Sequence, residues 1–266
     1  MQYFADISRH EQWFAGYAAR ERAKEMGDAT PLDLKTQHTY RVLGNARDIV
    51  AGEQFAQPLA RACLLAALYH DVARFGQYLQ YRTFKDSESC NHGLMGVKIL
   101  KREKRLDGEK ESVRRVALAA VGLHNRFALP SGLPENVRLA ARLVRDSDKL
   151  DILRIMDTYL SGPKPCRSTV VLNLPDSPDI VGKAVLDAVF SGRVVAYADL
   201  RSVNDFRVLL GTWFFDMSFP ASRNRFVENG HAIRLLENLP QTAPYGPARD
   251  FLLRRLKNKP GDSGRA

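Results

Sequence analysis

Cysteine is scarce: three in 266 residues, at positions 63, 90 and 166, with no C-x-x-C pair. An odd, widely spaced set excludes a disulfide framework and a thiolate zinc site, and implies free thiols in a reducing compartment. Long apolar runs are also missing. The longest, Ala62–Tyr69 and Val116–Leu123, are far short of the roughly 20 residues needed to cross a bilayer. Asp6, Arg9, Glu11 and Arg20 interrupt the first twenty residues, so they do not read as a secretory signal, and the expected location is the cytoplasm with no membrane partner. No internal repeat or low-complexity domain breaks the chain, and no aromatic–basic interleaving marks a single-strand groove.

What the chain does have is positive charge and helical periodicity. A formal net charge of +10 favours anionic partners by long-range attraction, or simply keeps the protein soluble. Charge alone does not choose between phosphorylated metabolites, nucleic acid and an anionic surface. Apolar residues recur at helical spacing almost throughout, which predicts an all-α fold. Helices are expected over an N-terminal segment closing near Gly27, then Leu32–Val50, Leu59–Val72 running on to Gly76, His92–Lys104, Ser112–Leu123 and Asn136–Leu160. Tyr78–Asn91 and Asn125–Pro134 read as connections. The basic run Lys98–Arg105 is read as a solvated face. Clustered prolines at 163, 165, 175 and 178 suggest a boundary, with a helical domain over 1–160 and a helical extension over 161–266. Within the boundary, Thr169–Leu174 has the composition of one short strand. The extension is expected to be helical near Ile180–Phe190, Ser202–Phe215 and Ala232–Leu239, and frayed from Lys257 onward.

There are six histidines, and four of them, His38, His70, His92 and His124, fall at wide intervals in the expected catalytic core, approximately residues 30–160. His70 is followed at once by Asp71 at the end of the apolar run. An imidazole beside a carboxylate at a buried helix end is costly unless both are paired, and one metal ion pairs both. His38 lies in K-T-Q-H-T-Y-R-V, the pair in A-L-Y-H-D-V-A-R-F, and a later D-S-D-K-L-D adds Asp146 and Asp148. Those two aspartates are separated by ~200° around a helix, so they do not both face one ion.

This ordered set resembles the HD superfamily of metal-dependent phosphohydrolases, whose motif order is H…HD…D on consecutive helices. The likeness covers roughly Lys35–Asp157, and H-D-V-A-R-F-G-Q, C-N-H-G-L-M-G-V, L-H-N-R and R-D-S-D-K-L-D resemble a bacterial HD subfamily of uncertain substrate. The resemblance implies an all-α HD core with His38, His70, Asp71 and Asp148 as metal ligands. Asp148 is favoured over Asp146 because it precedes a Lys–hydrophobic pair. In binuclear branches two more histidines lie between the HD pair and the last aspartate. His92 and His124 occupy that interval, either as ligands of a second ion or as a helix cap and a core residue.

Histidine and carboxylate ligands suit Fe, Mn, Ni, Co or Zn without choosing among them. Such ions activate water and polarise a phosphoryl oxygen, and two of them about 3.5–4 Å apart, bridged by Asp71, suit phosphate hydrolysis. Asp71 and Lys149 are the expected catalytic residues, Lys149 neutralising a phosphate oxygen or else forming a helix salt bridge. Arg74, one turn beyond the HD pair, and Asn125 and Arg126, after His124, are candidate substrate-binding residues with structural roles as the alternative. The expected partner is a phosphorylated small molecule, nucleotides leading. A di-iron oxygenase similar to myo-inositol oxygenase uses the same ligand order, and a nucleotide- or nucleic-acid-binding module is a third class.

Overall fold

The computed structural model describes residues 6–162, 174–177 and 179–257. These residues are helical with no strand among them, and they divide into two compact units, 1–151 and 152–266. The division falls inside a single long helix. Residues 169–173 of the strand expected over Thr169–Leu174 and most of the proline-rich boundary lie outside the described residues, as do Cys166 and residues 258–266 of the expected frayed tail.

The first unit is built around α3 (Leu59–Tyr69), in which every residue from Ala62 to Tyr69 is buried. A helix apolar on all sides must be enclosed on all sides. Here α1 (Ser8–Arg22), α2 (Thr30–Gly52) and α6 (Glu111–Leu123) pack around it. Next to this centre α4 (Arg74–Tyr81) packs on α2, and α5 (His92–Arg102) packs on α6. The Asn91 side chain caps α5 by accepting from the Leu94 amide at 2.9 Å, satisfying one of the helix's orphan donors. The helix α7 (Glu135–Leu160) runs from the first unit into the second. Of the basic run on α5 and beyond, Lys98, Lys101, Arg102 and Lys104 are exposed, whereas the Arg105 guanidinium lies 4.8 Å from the centre of the Trp13 ring.

Sequence periodicity predicted one helix from Leu59 to Gly76, but the chain turns at His70–Ala73 and resumes as α4, which extends to Tyr81. A local cause is visible. The His70 Nδ1 sits 2.8 Å from the Ala67 carbonyl, the acceptor that a continuing helix would offer to the Asp71 amide. The turn leaves the His70–Asp71 pair between two helices rather than on the side of one. The segment expected to connect from Tyr78 therefore begins at Arg82 and contains a 3-10 turn at Asp86–Glu88.

In the second unit α9 (Val203–Thr212) is buried over its whole length and packs with α8 (Lys183–Phe190), α11 (His231–Glu237) and α12 (Tyr245–Lys257). Between α9 and α11 in sequence lies α10 (Pro220–Glu228). Asp205 organises this unit: its carboxylate accepts from the amides of Gly182 and Arg201 and from the Tyr245 hydroxyl, at 2.8–2.9 Å. A buried carboxylate with that many donors is satisfied and structural. No helix among the described residues is long and apolar enough to cross a membrane.

Candidate metal centre

Five elements of the first unit bring the six predicted ligand residues together. His38 comes from the middle of α2, His70 and Asp71 from the turn after α3, His92 from the first turn of α5, His124 from the end of α6 and Asp148 from α7. The four imidazoles form a continuous arc: His38 to His70, His70 to His124 and His124 to His92 have ring centroids 5.4, 5.2 and 4.8 Å apart. All four are buried.

Their inward-facing atoms are the Nε2 nitrogens. Those of His38 and His70 are 3.4 Å apart, and those of His92 and His124 are 3.0 Å apart. The Asp71 carboxylate lies between the pairs and offers one oxygen to each. Its Oδ2 is 3.7 Å from both His38 and His70, while its Oδ1 is 3.5 Å from His92 and 3.9 Å from His124. Two groups of potential ligands result, His38–His70–Asp71 and Asp71–His92–His124, each with its donor atoms within 4.8 Å of one another. Asp148 adds to the first group, with Oδ1 3.0 Å from His38 Nε2 and 3.9 Å from His70 Nε2. Asp146 is buried on the same helix.

The outward nitrogens explain how the inward ones are aimed. Each Nδ1 faces an acceptor: Asp151 Oδ2 for His38 at 2.7 Å, the Ala67 carbonyl for His70 at 2.8 Å, Asp86 for His92 at 2.7 Å, and the Val121 carbonyl for His124 at 2.7 Å. A proton on Nδ1 donates to that acceptor, so in the neutral ring the Nε2 lone pair points inward, as a metal-binding histidine requires. His70 and His124 share one local device. Both stand at the C-cap of a helix and bond back to the carbonyl three residues earlier, using acceptors that a helix end leaves without partners and a dipole end that favours cations. Paired lone pairs converging on shared carboxylate oxygens fit divalent transition ions of the kind that accept imidazole and carboxylate.

Electrostatics agree with this geometry. Burial lowers the pKa of His70, and burial followed by the neighbouring His70 and His92 lowers His124 to about 3. Burial and Lys35 oppose a charge on His38, but the hydrogen bonds to Asp148 and Asp151 outweigh them and raise it. Burial alone would raise Asp71, yet Lys35, His70, Arg74 and His92 hold it well below the usual carboxylate range. Burial opposes the charge on Asp148 as well, but His38 and His70 lower its pKa, so Asp71 and Asp148 are anions at neutral pH.

Around the centre, Arg74 donates from Nε to Asp71 Oδ1 at 3.3 Å. Its Nη1 is held by Gln77 at 2.7 Å, Asp86 at 3.1 Å and the Phe84 carbonyl. Asn125 donates to Asp86 at 2.9 Å and to Asn91 at 3.1 Å, and its buried Oδ1 has no hydrogen-bond partner. The Arg126 side chain is exposed, and its carbonyl accepts from Arg145. Lys149 is half-buried beside Asp148 on α7. Three contributors were not singled out from sequence. Lys35 donates to Asp71 Oδ2 at 2.7 Å, and Asp151 and Asp86 back His38 and His92. For Lys35 and Asp151 a signal existed: each lies three residues from a predicted ligand on the same helix, and so on the same face. Asp86 lies in a connection, where spacing carries no such information.

An all-helical core converges four histidines and two aspartates on one buried centre, in groups that could hold metal ions. Residues 36–153 match the family model of the HD domain, so the chain carries an HD domain over that span. HD domains are typically metal-dependent hydrolases. No match to the chain is found among the curated proteins or the solved structures.

Proposed function

We propose that this protein is a binuclear metal-dependent phosphohydrolase that cleaves a phosphate ester or phosphoanhydride. The observation that carries the reading is the division of Asp71 between two imidazole pairs, one carboxylate oxygen facing each. In this reading His38, His70, Asp71 and Asp148 hold one ion, and Asp71, His92 and His124 hold the other. Ions so held activate water and polarise a phosphoryl oxygen. The protein's part is to fix the donors: Asp151 and Asp86 hold the tautomers of His38 and His92, and the carbonyls of Ala67 and Val121 do the same for His70 and His124. The second group has one carboxylate fewer than the first, which leaves more of its coordination positions to exchangeable ligands.

The surroundings support an anionic substrate. Lys35 and Arg74 each hydrogen-bond Asp71, and the chain is basic overall. The same donor set serves a di-iron oxygenase similar to myo-inositol oxygenase, but two cations beside the bridging carboxylate favour phosphate. Nucleotides are the first class to test. Protein purified without chelator should contain close to two transition-metal ions per chain and release phosphate from at least one nucleotide or sugar phosphate. Two irons with no phosphate released, but oxygen consumed, would transfer the assignment to the oxygenase. Absence of bound metal after reconstitution would overturn both.

A further inference from the structure

Arg74 and Lys35 both pair with Asp71, but they are held differently. Arg74 would stay in place without that contact, because Gln77, Asp86 and the Phe84 carbonyl also bind it. The Lys35 ammonium has Asp71 as its one hydrogen-bond partner among the described residues and lies 5.3 Å from the centre of the Phe84 ring. Its backbone is fixed within α2, one turn before His38. Its side chain is mostly buried, with 18% exposed. A divalent ion on Asp71 Oδ2 would compete with the ammonium for that oxygen and repel it at short range. The tethered cation must then find another anion close by, since a poorly solvated ammonium left unpaired is costly.

We infer that Lys35 is a phosphate-binding residue, exchanging the Asp71 carboxylate for a non-bridging phosphoryl oxygen when divalent cations occupy the centre. The inference rests on the phosphohydrolase reading and sharpens it: a lysine on the turn before His38, in place of or beside Lys149, neutralises the phosphate. Lys35 thus serves as counter-ion to Asp71 in the metal-free protein and as a substrate contact in the loaded one.

Inorganic phosphate binding to the metal-loaded full chain, measured by calorimetry beside its metal content, tests this. Lys35→Met should retain the metal stoichiometry, bind phosphate at least about tenfold more weakly, and bind the metal itself no less tightly, because the competing ammonium is gone. Lys35→Arg should recover most of the phosphate affinity. Lys35→Gln, which keeps a donor for Asp71 without the charge, repeats the test if the methionine variant fails to fold. Wild-type phosphate affinity in both neutral variants, with metal content unchanged, would overturn the role of Lys35 and leave the metal centre standing. A metal-loaded wild type that binds neither phosphate nor phosphate esters would overturn the role of Lys35 together with the phosphohydrolase reading.

Discussion

The two halves of the centre each combine two imidazoles with an Asp71 oxygen, but they are supported differently. In the first half His38 is backed by Asp151, whose side chain is 2% exposed and sits on α7 one turn from Asp148. Both carboxylates belong to one helix, three residues apart and among its buried residues Val144 and Leu150, so α7 positions them together. In the second half His92 is backed by Asp86, whose side chain is 32% exposed and sits on a 3-10 turn between α4 and α5. That aspartate is positioned by hydrogen bonds from Arg74, Gln77 and Asn125. One half is thus fixed by core packing and the other by a polar network on a connection. In the proposed binuclear centre the first half would hold its ion by packing, while the second would respond to whatever approaches the 82–91 segment.

The sharpest way to break the comparison is through the residue both halves share. Asp71→Ala should abolish turnover and remove both ions, whereas His92→Ala should remove about one ion of two and spare the first half. Metal analysis of the two purified variants checks this, and equal stoichiometries would refute the shared role of Asp71. A smaller effect is expected from the supporting carboxylates, where loss of such a partner costs roughly 10–100-fold in metal affinity. Asp151→Asn should weaken the first ion and Asp86→Asn the second. Competition with a graded chelator distinguishes them, and the halves are not independent if either substitution weakens both ions equally.

How much of this was legible in sequence depends on how local each cause is. The residues that converge in the candidate centre were readable because imidazole and carboxylate carry their chemistry wherever they fall, and the order H…HD…H…H…D survives in one dimension. On α7 Asp148 reaches His38 together with Asp151, three residues on, while Asp146 is buried on the same helix. The break at His70–Ala73 was not legible, because Val72 and Phe75 continue the apolar rhythm of α3 while a side chain takes over a backbone acceptor. Two helices of the second unit were also missed. In α12 the buried set Tyr245, Ala248, Leu252, Leu253 and Leu256 has helical spacing, but Gly246 and Pro247 in the first turn mask it. In α10 only Ser222 and Phe226 are buried, too few to announce an apolar face. Asp86 was invisible as a supporting residue because its partners come from three separate segments.

Acid should also separate the halves in the metal-free protein, with a smaller effect than losing a ligand. His38 stands between two carboxylates, Asp148 and Asp151, so its pKa is raised and its protonated form is stabilised. His124 faces a carbonyl behind and other imidazoles in front, and burial leads in lowering its pKa to about 3. The signs are opposite. For His38 the native state binds the proton more tightly than the unfolded chain, so its contribution to stability is full below the ordinary histidine pKa of about 6.5 and is lost as pH rises through the raised value. For His124 the unfolded chain binds the proton first, so stability falls as pH drops from about 6.5 toward its depressed value of about 3. Histidine resonances followed by NMR in chelated protein should show His38 titrating above the ordinary value and His124 well below it. His124→Gln should flatten the acid side of the stability curve, and His38→Gln the side near neutrality. Co-titration of His38 and His124 would mean that the two halves share one electrostatic environment, and the contrast between a packed half and a networked half would then not extend to their charges.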